Sequence, residues 1–158
     1  MTQTEIVASL SAVTALCAVL LGPLVSMWGA NKQASVAVRS NNRQAWINSL
    51  RDALAEFSSV ARVITLAKEF DDQYARVEKL YFLEQKMALL LNPNEEDHEN
   101  LLHVATEARK AVIAILAFKE KPEQRDEQHQ QLKKSLSELT SVAQPILKKE
   151  WERVKRAE

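Results

Sequence analysis

The side chains able to do chemistry are few and poorly arranged for it. His98 and His103 stand five positions apart. On a helix that separates them by about 140° around the axis, a poor geometry for two ligands of one metal. His98 with Glu95 or Glu99, or with Glu84 from elsewhere, offers a carboxylate–histidine set. Neither HExxH nor a repeated ExxH pair accompanies it. His129 lies in the polar run EQHQQ and is expected at the surface. No G-x-S-x-G, phosphate-cradling loop or Cys–His arrangement occurs. The expectation is a protein that is not an enzyme, with no catalytic residue, metal, cofactor or small-molecule substrate. The nearest thing to a site is the turn from Asn92 to His98, and turn chemistry accounts for its residues without a ligand.

The elements that must position these residues are helices. Only two glycines occur among 158 residues, Gly22 and Gly29, both in the first fifth of the chain. Hairpins and phosphate loops lean on glycine for positive-φ positions, so both are disfavoured downstream. Ala, Leu, Glu, Lys, Gln and Arg dominate there, and all are good helix formers. The fold class is therefore all-α. The 21 basic and 21 acidic residues are intermixed and cancel. That balance, without a basic aromatic-studded face, argues against nucleic acid as a partner.

The most distinctive stretch is Ile6 to Asn31, 26 residues without a charged side chain. Its apolar heart, Ile6 to Trp28, makes a helix of roughly 35 Å, enough to cross a hydrocarbon core of about 30 Å with some tilt. A cleaved signal peptide wants a basic start, but MTQTE carries one Glu and no Lys or Arg. The expectation is a retained transmembrane helix within residues 1–31. Lys32, Arg39, Arg43 and Arg51 follow within about 25 residues, so the N-terminus is expected outside and the rest of the chain in the cytoplasm. Trp28 sits where an interfacial aromatic anchor belongs. Cys17, the lone cysteine, lies inside the span and forms no intramolecular disulfide, in keeping with a reducing compartment for the rest.

Two features of the span bear on assembly. Gly22-Pro23 removes an amide donor and is expected to kink or loosen the helix. Ser11, Ala15, Ala18 and Gly22, spaced four, three and four, form a small-residue stripe on which transmembrane helices pack closely.

Residues 32–42 read as a juxtamembrane linker or a continuation of the helix, with the asparagines favouring a break near Ser40 to Asn42. Residues 43–158 read as one cytosolic helical domain. Its first helix places Ile47, Leu50, Leu54, Phe57, Ala61 and Ile64 at alternating spacings of three and four, a coiled-coil-like seam of about 2.5 heptads. Trp46 and Val60 widen it, which favours the core face of a bundle over an oligomer seam. A second helix is expected to restart at Asp71 or Asp72. There Leu80, Tyr81, Phe82 and Leu83 make the surface apolar nearly all round, the pattern of a helix packed on more than one side.

Asn92-Pro93-Asn94 is the clearest punctuation in the domain. Pro93 disfavours helical geometry at Asn92, and Asn94 is the expected N-cap of an acidic first turn. The third helix presents Leu101, Ala105, Ala108, Val112 and Ile115 on one face, with Leu102 and Leu116 beside them. It is expected to run antiparallel to the second. The last helix, from about Glu123, carries Leu132, Leu136, Leu139, Val142 or Ala143, Ile146 and then Trp151 or Val154 on its face. Pro145 is expected to kink or divide it.

The strings Arg43-Gln44-Ala45-Trp46-Ile47-Asn48-Ser49-Leu50-Arg51-Asp52-Ala53-Leu54-Ala55-Glu56-Phe57 and Leu89-Leu90-Leu91-Asn92-Pro93-Asn94-Glu95-Glu96-Asp97-His98 resemble those of uncharacterised bacterial single-pass inner-membrane proteins with a cytosolic helical domain. That group similarly has one N-terminal span, an RQxWIxxLRxxLAEF-like helix and an LLLNPxExDH-like turn. The resemblance implies a bacterial inner-membrane location and no activity.

The sequence leads to three expectations of function. The first is a membrane-anchored interaction or scaffold protein, whose bundle of about three to five helices binds itself or a protein partner on the cytoplasmic side. Its candidate interaction residues are Ser11, Ala15, Ala18 and Gly22 in the span and Ile47, Leu50, Leu54 and Phe57 in the seam. A membrane-acting effector of the toxin or phage-defence type, working through oligomerisation, is the second. The third is a non-catalytic sensor or signalling subunit. The bilayer itself is a partner in all three.

Overall fold

A computed structural model describes residues 3–65, 70–118 and 120–156; the side chains of 4–10, 12, 13, 17, 18, 20, 24 and 70–72 stand outside that description. Four helices account for nearly all of it: α1 (Gln3–Ile64), α2 (Phe70–Leu90), α3 (Glu96–Ala117) and α4 (Pro122–Lys155). No strand occurs among the described residues. The chain divides into two compact units, Met1–Asn42 and Arg43–Arg156, and the boundary falls within α1.

In the first unit α1 carries Leu16, Val19, Leu21, Val25, Met27 and Trp28 with more than half of each side chain's surface exposed. This part of α1 is long and apolar enough to cross a membrane, and none of its apolar window is buried within the chain. The helix is assigned without interruption through Pro23 and through Ser40 to Asn42, where the sequence favoured a break. Asparagine is only a mediocre helix former, and its cost of well under 1 kcal/mol does not end a helix by itself. Polar side chains near the end of the first unit bond to the helix's own carbonyls, Ser35 Oγ to Lys32 and Arg39 Nε to Ser35.

In the second unit the periodic leucines and alanines meet. Leu50, Leu54, Phe57 and Ile64 of α1, Leu80, Leu83 and Met87 of α2, Leu101, Val112 and Ile115 of α3 and Leu136, Leu139 and Ile146 of α4 belong to one buried apolar cluster. Trp46, Val60, Leu102 and Leu116, the residues that widen the apolar faces, lie half-buried against it. α3 packs along α4, and α2 against α3. Fully burying a side chain such as Phe57 or Leu80 stabilises by about 1.5–3 kcal/mol, so this cluster is the principal favourable term for the unit.

Local chemistry sets the helix ends. α2 stops where Pro93 bars helical geometry at Asn92. α4 opens with Pro122 in its first turn, where the missing N–H costs nothing. Pro145 neither ends nor divides α4, which runs on to Lys155. Buried Leu139, Ala143, Ile146 and Glu150 flank the proline on both sides, and their packing outweighs the one backbone bond it removes. α2 differs from expectation in its apolar run. Leu80 and Leu83 are buried, but Tyr81 and Phe82 face outward beneath Arg109 and Lys79, whose cations lie 4.5 and 5.2 Å from the ring centres.

Candidate functional site

The two strings singled out in the sequence meet in space. Trp46 donates its indole N–H to the carbonyl of Leu90 at 2.6 Å, at the end of α2. Its ring lies 6.1 Å from that of His98. The backbone N–H of Asn92 donates to Nδ1 of His98 at 3.0 Å, which fixes Nε2 as the nitrogen carrying the hydrogen. Nε2 then faces the Glu95 carboxylate at 4.0 Å. Neither ring nitrogen keeps a lone pair to offer a ligand. His98 is buried by this arrangement, whereas His103 is exposed.

Asn92, rather than Asn94, organises the turn. Its Oδ1 accepts from the N–H of Asn94 at 3.1 Å, and its Nδ2 donates to Glu95 at 3.2 Å. The N-cap of α3 is Glu95, whose extended backbone carries no side-chain cap bond. The Asn92 amide holds the Glu95 carboxyl below the ordinary carboxylate value, against partial burial, with His98 and Lys149 adding to the effect. Lys149 of α4 reaches the same carboxylate at 3.5 Å. The next residue of α4, Glu150, is buried and accepts from Arg43 at 3.1 Å and Arg153 at 2.5 Å.

Glu84, the other carboxylate considered as a metal ligand, is already occupied. It lies buried between α2 and α3, where Thr106 donates to it at 2.6 Å and Arg109 pairs with it through Nε. Arg109 also donates to the Tyr81 hydroxyl at 3.1 Å. Among the described residues, no group of three His, Cys, Asp or Glu is placed to hold a metal ion.

The remaining candidate residues fall in three places. Ile47, Leu50, Leu54 and Phe57 lie in the second unit's own core, with 9% of Leu54 exposed and none of the other three. Ser11, Ala15 and Gly22 are exposed on α1, and a Cβ added at Gly22 would meet nothing within 4 Å. Cys17 and Ala18 have side chains outside the described residues.

Sequence reasoning missed a groove between α1 and α4. One cavity of about 730 Å³ is lined by Arg62, Thr65, His129, Lys133, Leu136 and Ser137 among others, and a second of about 300 Å³ by Arg51, Leu54, Ala55, Ser58, Leu139 and Leu147 among others. They share Thr140 and Gln144, so they form one continuous trough. His129, expected at the surface, is half-buried in its wall. Adjacency of two helices so distant in sequence leaves no local signal, although the i, i+4 run of Leu132, Leu136 and Thr140 marks the face.

Comparison of the chain with protein-family models, with curated proteins and with solved structures finds no match in any of the three.

Proposed function

We propose that this chain is a single-pass, membrane-anchored interaction protein. In this reading the first part of α1 crosses a bacterial inner membrane with the N-terminus outside. Residues 43–156 form an antiparallel helical bundle on the cytoplasmic side that binds a protein partner or another copy of itself. The observation that carries the reading is the contrast between the two units. Leu16, Val19, Val25 and Met27 are each more than 60% exposed, while the leucines of the second unit close over their own core. So long an uncovered apolar surface is rare in water and ordinary in lipid.

Supporting detail lies at the end of the apolar segment. Lys32 sits 5.5 Å from the ring centre of Trp28, a cation–aromatic pair suited to the headgroup region. Lys32, Arg39 and Arg43 follow without an acidic residue between them, which favours a cytoplasmic location for the second unit. Self-association, where it occurs, would use the stripe of Ser11, Ala15, Ala18 and Gly22, because small side chains let helix backbones approach.

The test is fractionation of cells expressing the full chain. The proposal expects the protein in membranes, retained through alkaline carbonate washing and released by detergent. Recovery in the soluble fraction would overturn it.

A further inference from the structure

The trough between α1 and α4 has the form of a helix-binding groove, and the described residues leave it empty. Along α4 it runs from His129 to Leu147, about 27 Å at the helical rise, which is room for roughly five turns of a bound helix. Leu54, Leu136 and Leu139 line its floor. Its walls are small: Ala55 and Ser58 on α1, Ser137 and Ser141 on α4. Thr140 and Ser141 donate to the carbonyls of Leu136 and Glu138 of their own helix, so an incoming apolar surface would strand neither hydroxyl.

Charge indicates what the groove would accept. Arg51, Arg62 and Lys133 stand exposed along it, and no carboxylate lines either cavity. None of the three makes an ion pair among the described residues. Elsewhere in the unit Lys79, Lys110, Arg109, Lys149, Arg153 and Lys155 are each set against a glutamate, while Lys86, Lys134 and Lys148 are also without an ion pair among the described residues. What marks the groove is that its cations face no carboxylate within it. In a chain whose charges cancel overall, three unpaired cations around one apolar trough complement a negatively charged occupant.

We infer that the α1–α4 groove is the docking site for an amphipathic helix of a partner protein, apolar on the face it inserts and acidic along the flanks that meet Arg51, Arg62 and Lys133. The inference rests on the interaction reading above and gives it a surface and a partner chemistry. Of the seam residues Ile47, Leu50, Leu54 and Phe57, which the fold uses for its own core, Leu54 alone also lines the groove.

The test is site-specific photocrosslinking of the full chain in its native cell. The photoreactive residue benzoylphenylalanine replaces Ala55 or Ser137 in the groove and, as a control, Gln85 on the exposed face of α2. The inference expects crosslinks from Ala55 and Ser137, and not from Gln85, to one second protein. The crosslinked peptide should be of helical pattern, with Asp or Glu flanking an apolar stripe. Combining Arg62→Glu with Lys133→Glu should cut the yield about tenfold or more, because it sets like charges against the acidic flanks. Both positions are exposed, and an unchanged circular dichroism spectrum of the purified double variant verifies its fold. Crosslinks to a second copy of the chain, to lipid or to a peptide without acidic residues would overturn the inference. So would silence at both groove positions, or a yield indifferent to the charge reversal. Fractionation of the same cells separates this from the membrane reading. Loss of the protein from membranes counts against anchoring alone, and groove positions silent in membrane-bound protein count against the groove alone.

Discussion

The indole N–H of Trp46 donates to the carbonyl of Leu90 at 2.6 Å, joining residues 44 positions apart. Around that bond the start of the second unit is locked. His98 lies against the indole and accepts from Asn92, Asn92 holds Glu95, and Glu95 meets Lys149. Arg43, three residues before Trp46, pairs with Glu150 on the same stretch of α4. Replacing Trp46 with Phe keeps most of the ring and removes the donor. We predict a loss of about 1 kcal/mol or somewhat more in denaturant unfolding of the detergent-solubilised chain. An unchanged midpoint would show that water replaces the bond at no cost.

The Glu84–Arg109 pair places a buried carboxylate against one guanidinium. Arg109→Met leaves a buried carboxylate with only Thr106 as a partner, and about 3–5 kcal/mol of stability should be lost. The double variant Glu84→Leu with Arg109→Met should be markedly more stable than Arg109→Met alone, because no charge is then stranded. Equal stabilities in thermal melts would mean that the carboxylate reaches water.

Glu95 supplies a dependence on pH. Its carboxyl is held below the ordinary value near 4.5, first by the Asn92 amide. A depressed folded-state value favours the folded state above the unfolded value, and that contribution fades as pH falls through the folded value. We predict that carbon-detected NMR finds Glu95 titrating below 4.5 and that Asn92→Ala moves it upward. A value unmoved by the substitution would assign the depression to Lys149 or His98 instead.

Phe57→Ala tests whether the α1 seam is domain core. Phe57 is completely buried, so the truncation should cost about 3–5 kcal/mol. The assembly size in mild detergent should not change. A smaller assembly with unchanged stability would make the seam an interface between copies.

How far the sequence could be read followed the range of each signal. The faces of α1, α3 and α4 were legible because Leu50, Leu101 and Leu136 each recur with apolar partners at helical spacing, and burial follows that periodicity directly. The unbroken assignment through Ser40 to Asn42 was not legible, since propensity is a weak prior. Of the two outcomes expected at Pro145, division does not occur, because packing around Ala143 and Ile146 holds the helix across it. Tyr81 and Phe82 look like core by composition, yet cations from Arg109 and Lys79 let them face outward. The sequence pointed to Asn94 as the cap, and only the turn's geometry shows that Asn92 makes the bonds. The groove needed α1 and α4 side by side, which no local pattern records.

In the proposed topology the first part of α1 crosses a membrane and the second unit lies in the cytoplasm. Its most direct test is labelling of single-cysteine variants in intact cells with a membrane-impermeant maleimide. Cys17→Ser provides the background, and Gln3→Cys and Gln130→Cys, both at exposed positions, report on the two sides. We predict that Gln3→Cys labels in intact cells and Gln130→Cys only after permeabilisation. Labelling of Gln130→Cys from outside would reverse the orientation, and protection of both sites until lysis would contradict a span.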